Sequence, residues 1–148
     1  MVDSPAETMR EEISVPNRTA SLEKVRDFII RNLEETELDE RDQRLMVLAI
    51  DEAVTSNILF SVETGREGLC RVVLDVDETR IHVTIDDTGK DPDARDLTDQ
   101  ALRETAKKAR KYEMSIFLIR QIVDEISYAF KKGFQNQLIL IKFIPPRS

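Results

Sequence analysis

Histidine, cysteine, glycine and basic charge are all scarce in this chain, and each scarcity removes a class of chemistry. The only histidine is His82, so histidine-based metal sites and Ser-His-Asp catalysis have little material. A single cysteine, Cys70, allows no internal disulfide, and a reducing cytoplasm is the simple inference. Acidic residues outnumber basic ones, 29 to 22, for a formal net charge of −7. That balance argues against general nucleic-acid binding and suits a partner with a basic surface. No run of about 18 apolar residues occurs, and the N-terminal MVDSPAETMREE is polar, so neither a membrane span nor a secretory signal is expected. The four glycines are Gly65, Gly68, Gly89 and Gly133, with none between Lys90 and Lys132.

What is present fits one domain. The chain has 148 residues, 41% hydrophobic and 34% charged, enough for a single substantial core. Residues 1–11 read as a flexible lead and 12–148 as the domain. Arg44 to Glu63, RLMVLAIDEAVTSNILFSVE, reads as a helix apolar almost all the way round. At about 100° per residue, Leu45, Leu48, Ala49, Glu52, Ser56 and Leu59 share one face, with Val47, Ile50, Val54 and Ile58 largely opposite. Such a helix is expected to be buried, yet Asp51 and Glu52 sit in its middle. A carboxylate there needs a partner, a cavity or a role in chemistry. An arginine or a backbone donor is the plain structural solution, with Arg120 one candidate for Glu52.

Along the rest of the chain, Glu12 to Val15 is a short strand stopped by Pro16. Thr19 or Ser21 caps a helix over Leu22 to Glu35, with Leu22, Val25, Phe28, Ile29 and Leu33 on its apolar stripe. Asp39 is the expected cap of the central helix, which ends near Ser61. Leu69–Val76 and Arg80–Ile85 form a hairpin about the polar turn Asp77-Glu78-Thr79. His82 alternates with Ile81 and Val83, which makes it a surface strand residue rather than a ligand. An acidic loop, 86–93, precedes a polar helix or mobile segment over Thr98 to Lys111. Met114 to Val123 has helical spacing, and Ile126–Phe130 and Leu138–Phe143 are strands about Lys131-Lys132-Gly133. Asp124-Glu125 closes the helix and opens the strand, and Cys70 reads as core. This order, β-α-α-β-β-(loop, helix)-α-β-β, predicts an α+β two-layer sandwich: a mixed, mostly antiparallel sheet with helices on one face.

Three segments recur in a familiar order: Asp-Glu-Ala-Val-Thr at 51–55, Asp87-Thr88-Gly89 after a strand, and Ile116-Phe117-Leu118-Ile119-Arg120 through Tyr128. Together they resemble the anti-sigma-factor serine kinases of the GHKL (histidine-kinase-like) ATPase superfamily, from about Ile13 to Phe143. The resemblance implies a Bergerat-type site for ATP and Mg²⁺. It implies Glu52 as general base, Asp87 as reader of the adenine amino group, and Gly89 as the loop glycine. A lid then leads to a phosphate-holding turn at a helix start. It also implies a homodimer that sequesters a sigma factor and phosphorylates its antagonist in partner switching. Glu34, Glu35, Glu37, Asp39 and Glu40 form an acidic cluster suited to a basic partner surface.

The chain departs from the family pattern in the central helix and at the phosphate turn. Ser56 stands in the magnesium-asparagine slot, four residues after Glu52, and Asn57 lies about 140° round unless a bulge turns it inward. Phe60 replaces a family histidine near the helix end. Glu113-Met114-Ser115 replaces Gly-x-Gly at the phosphate turn, where Lys107, Lys108, Arg110 and Lys111 could offset the charge of Glu113. For this chain the resemblance thus implies Asp87, Gly89, Ser56, Lys111 and Ser115 as nucleotide residues, with Ser56 and Asn57 the magnesium candidates. Three functions stay open: a working kinase, a protein-binding module with weakened or absent ATP use, and between them a nucleotide sensor that binds ATP without transferring phosphate.

Overall fold

In a computed structural model of the chain, the residues described are 8–63, 65, 68–88, 115–131 and 135–146, of which 128–131 and 135–136 by backbone alone. The elements are β1 (Met9–Pro16), α1 (Leu22–Leu33), α2 (Glu40–Glu63), β2 (Leu69–Val76), β3 (Arg80–Asp87), a short helix α3 (115–120), β4 (Glu125–Lys131) and β5 (Gln135–Phe143). A 3₁₀ turn at Thr19–Ser21 leads into α1. The expected strand at Glu12–Val15 is thus longer, taking in Met9 to Glu11 of the expected lead, which pair with Val76 to Leu74. The segment expected to be a polar helix, Thr98 to Lys111, lies outside the described residues, as do the turn residues Lys132 and Gly133.

The five strands form one sheet in the order β1-β2-β3-β5-β4, and every neighbouring pair is antiparallel. The expected two-layer α+β sandwich is present, with a sheet purely antiparallel rather than mixed. Strand alternation sorts its faces. Val15, Cys70, Val72, Leu74, Val76, Ile81, Val83, Ile85, Leu138 and Leu140 point to the helical side and form the core with α1 and α2. The other face carries polar pairs across strands. Arg10 donates to both carboxylate oxygens of Asp75 at 3.0 Å, Arg71 Nε to Glu12 Oε2 at 2.7 Å, and Gln137 Nε2 to Asp86 Oδ1 at 2.9 Å. His82 belongs to that outer face, as its alternation predicts. One exception is Val73, buried on the polar side beside Glu12 and Thr84.

The helices follow their sequence signals with two differences. Asp39 caps α2, accepting the Asp42 N–H at 2.7 Å, but neither Thr19 nor Ser21 caps α1; the 3₁₀ turn runs straight into it with Ser21 already helical. The stripe of α1, Val25, Phe28, Ile29 and Leu33, is buried as expected. The stripe of α2 is narrower than its composition suggests: Met46, Ala49, Ile50, Ala53, Val54, Asn57, Ile58 and Ser61 are buried, at i, i+3, i+4, i+7 spacing. Leu48, Leu59 and Val62 are exposed, so the helix is not buried all round. By length and hydropathy α2 would pass for a membrane-crossing helix, but its buried stripe lies on the sheet of this domain. It ends at Glu63, shortly before Gly65, whose φ of +69° is the left-handed conformation that glycine adopts without strain.

Candidate nucleotide site

The site is built along the second half of α2. Asp51 and Glu52 are adjacent, but the helix turns them to different neighbours. Arg26 of α1 grips Asp51 through two bonds, Nε to Oδ1 at 3.0 Å and Nη2 to Oδ2 at 3.2 Å. This hydrogen bonding and the Asp51 charge raise the pKa of the Arg26 guanidinium. The bidentate pair links α1 to α2 at the surface, while the buried stripe of α2 sets the helix's rotation. Asp51 thereby takes the arginine partnership that the sequence offered to Glu52.

Glu52 is half-buried and accepts a hydrogen bond from a serine hydroxyl. Ser115 Oγ, at the start of α3, lies 2.8 Å from Glu52 Oε1, and Ser56 Oγ lies 2.7 Å from Ser115 Oγ. A carboxylate only accepts, so Ser115 donates to Glu52 and Ser56 donates to Ser115. Ser56 and Ser115, which the sequence sets in place of an asparagine and a glycine, therefore meet each other at the carboxylate. Asn57 does not join them. The helix is α-helical throughout, with no bulge. Asn57 lies on the buried stripe, and its Nδ2 donates to Cys70 Sγ at 3.6 Å. The regular helix places Asn57, one of the two magnesium candidates, against the sheet and not beside Glu52.

Ser61 lies nine residues beyond Glu52, about 13 Å along the axis. Beneath it is Asp87, the last residue of β3 and only 1% exposed. Its Oδ2 accepts from Ser61 Oγ at 3.2 Å and its Oδ1 from Asn17 Nδ2 at 3.2 Å. Register explains the placement: Val15, Cys70 and Asp87 form one cross-strand row on the helical face. Asp87 thus continues an apolar row with a charge, and α2 covers it with a serine instead of a leucine. Thr88 clamps the end of the row, its N–H donating to Leu69 O and its Oγ1 accepting from Leu69 N. Cys70, between Asp87 and Val15, is fully buried, and desolvation pushes its thiol up to about 12. It is core, as its position suggested.

Ser61 and Asn17 carry no motif in the sequence; the one useful sign is a serine interrupting the apolar stripe of a long helix. Gly89, Lys111 and Glu113, which the sequence assigns to the nucleotide and phosphate positions, lie outside the described residues. Asp124, expected with Glu125 to close a helix and open a strand, ends no helix: α3 stops at residue 120, and Glu125 opens β4. The Asp124 N–H donates to Ile141 O, and its Oδ2 accepts the Phe143 N–H at 2.7 Å.

The base-reading end of a nucleotide site fits these residues. A buried carboxylate stands there, and Asn17 Oδ1, also buried, has no hydrogen-bond partner among the described residues. The metal end is thinner. Among the described residues no three His, Cys, Asp or Glu side chains cluster as metal ligands, and beside Glu52 stand the hydroxyls of Ser56 and Ser115.

Compared with known proteins, the chain finds no match among curated sequences. The family model described as the histidine kinase-like ATPase domain matches residues 15–142, from the end of β1 to β5. That span holds Glu52, Asp87 and most of the sheet and covers most of the chain, so this protein belongs to the histidine kinase-like ATPase domain family.

Proposed function

We propose that this ATPase domain is a protein serine kinase of the anti-sigma-factor type, which sequesters a sigma factor and phosphorylates the sigma factor's antagonist. The observation that carries the reading is Glu52. It is a half-buried carboxylate that pairs with no cation among the described residues, and it holds a serine hydroxyl at 2.8 Å. That is the contact a general base makes with a protein serine about to be phosphorylated. Asp87 supports the same reading from the far end of α2, at a separation on the scale of an extended nucleoside triphosphate. In it, Asp87 accepts from the adenine amino group, Glu52 Oε1 takes the proton of the acceptor serine, and Ser56 and Ser115 hold hydroxyls beside that oxygen. Gly89 and Lys111 belong to the same assignment. Bound Mg-ATP supplies the transferable phosphoryl group.

Partner binding rests on surface character. Leu48, Leu59 and Val62 on α2 and Phe117 and Leu118 on α3 are exposed apolar side chains, and Phe117 is 69% exposed. The acidic residues about the α1–α2 turn (Glu34, Glu35, Asp39, Glu40) are exposed as well. A basic, partly apolar protein surface suits both sets, as a homodimer interface would suit the first. The unpaired buried Cys70 agrees with a reducing cytoplasm.

A second reading has its own support. Asn57 is committed to Cys70 and Ser115 occupies Glu52, which favours a module that keeps the fold for protein binding with weak or no ATP use. Calorimetric titration with ATP, with and without Mg²⁺, separates the two. The kinase reading expects micromolar to millimolar binding that magnesium strengthens, together with phosphate transfer to a serine-bearing antagonist. Absence of heat in both titrations, with retained capture of a sigma factor, establishes the binding module instead.

A further inference from the structure

Asn17 follows β1 directly, and its backbone N–H donates to Gly68 O at 3.1 Å. The residue is 8% exposed, and its amide is oriented by Asp87. A carboxylate only accepts, so the NH₂ edge must face it, as the 3.2 Å Nδ2–Oδ1 contact has it. The carbonyl edge is then turned away. Asn17 Oδ1 is shielded from solvent and, among the described residues, accepts no hydrogen bond. Leaving such a group unmet is costly, and a native interior seldom carries that cost without a use. What is missing is a donor, one residue away from the carboxylate proposed to read the base.

We propose that Asn17 is a second base-reading residue: with Asp87 it supplies two acceptors, one for each hydrogen of the adenine amino group. The inference rests on the reading that a nucleotide lies at Asp87. It adds a residue from the β1–α1 connection, outside every motif of the chain, and a specificity rule. Guanine and hypoxanthine present a carbonyl where adenine presents its amino group. That carbonyl would face the Asp87 carboxylate and the Asn17 carbonyl together, acceptor against acceptor. A base whose amino group has lost one hydrogen to a methyl can satisfy only one of the two.

The test is calorimetry on the full chain with three probes: ADP, N6-methyl-ADP and inosine diphosphate. The wild type should bind ADP roughly tenfold more tightly than N6-methyl-ADP, the value of one neutral hydrogen bond, and inosine diphosphate more weakly still. Asn17→Ala should bring the ADP to N6-methyl-ADP ratio close to one. If Asn17 merely orients Asp87, the variant weakens both ligands and keeps the ratio, which overturns the proposal. If a buried water is what meets Oδ1, the variant leaves affinities and ratio unchanged, and the proposal is overturned in that case too. Equal wild-type affinity for ADP and N6-methyl-ADP overturns it without any variant, so a failure of Asn17→Ala to fold does not protect it. Wild-type protein that binds none of the three removes the nucleotide reading itself, and this inference with it.

Discussion

The two halves of α2 meet the same sheet with the same periodicity and carry opposite chemistry. From Met46 to Val54 the buried stripe is Met46, Ala49, Ile50, Ala53 and Val54, packed on apolar strand residues. From Asn57 to Ser61 it becomes Asn57, Ile58 and Ser61, set over Cys70 and Asp87. Both halves are buried. Polar side chains there gain nothing from burial and are held only by matched partners. The first half is wholly apolar core, while the second sets Asn57 and Ser61 among the core residues, the polar groups to which the proposed site assigns a role. Glu52 stands on the flank of the first half, off its buried stripe.

The comparison can be broken in order of expected effect. Glu52→Gln removes the proposed base while keeping the side chain's shape, and general-base loss costs about 10²–10⁴-fold in transfer rate. ADP affinity and melting temperature should stay near wild type. A transfer rate within a few fold of wild type would mean that Glu52 belongs with the structural half. Ile50→Ala, in the apolar half, should lose about 2–5 kcal/mol in urea unfolding, with ADP affinity unchanged in protein that remains folded. Ser61→Ala should do the reverse in proportion. Removing a hydroxyl that donates to buried Asp87 costs about 1–3 kcal/mol of stability and also weakens ADP binding. If Ile50→Ala and Ser61→Ala affect binding alike, the division of the helix fails.

How much of this is legible in the sequence depends on range. The hairpin about Asp77, the stripe of α1, the Asp39 cap and the strands are local patterns, and each is written within a few residues. The faces of α2 are less legible, because Leu48, Leu59 and Val62 are as apolar as Ile50 and Ile58. Composition shows two oily sides, and only the position of the sheet decides which one is covered. The site divides in the same way. Asp87 and Glu52 sit in short motifs, and Ser56 and Ser115 are visible as departures from them. Their meeting across 59 positions of sequence is not visible, and neither is the 70-position bond from Asn17 to Asp87. Pro16-Asn17 looks like the end of a strand and nothing more. The sequence offers Arg120 as one candidate partner for Glu52; the arginine that pairs in this helix comes from α1 and takes Asp51, which faces that helix.

The smallest effect concerns Cys70, and it tests whether the polar half is as dry as its partners imply. Desolvation is the first cause of its raised pKa, from an ordinary 9.0 to about 12, with the Asn57 hydrogen bond working against it. In the unfolded chain the thiol ionises near its ordinary value, whereas in the folded chain it stays protonated. Above that value the unfolded state therefore binds fewer protons, and stability falls as pH rises. The contribution is fully present below about pH 9 and is lost on the way to about pH 12, with roughly 1 kcal/mol gone between pH 9 and 10. Cys70→Ala should lack this slope when urea unfolding is repeated across that range. The native thiol should also resist alkylation at neutral pH and react at once in urea. Rapid alkylation of folded protein would mean that water reaches the row of Val15, Cys70 and Asp87. In that case the polar residues of α2 would line an open cleft, not a closed reading site.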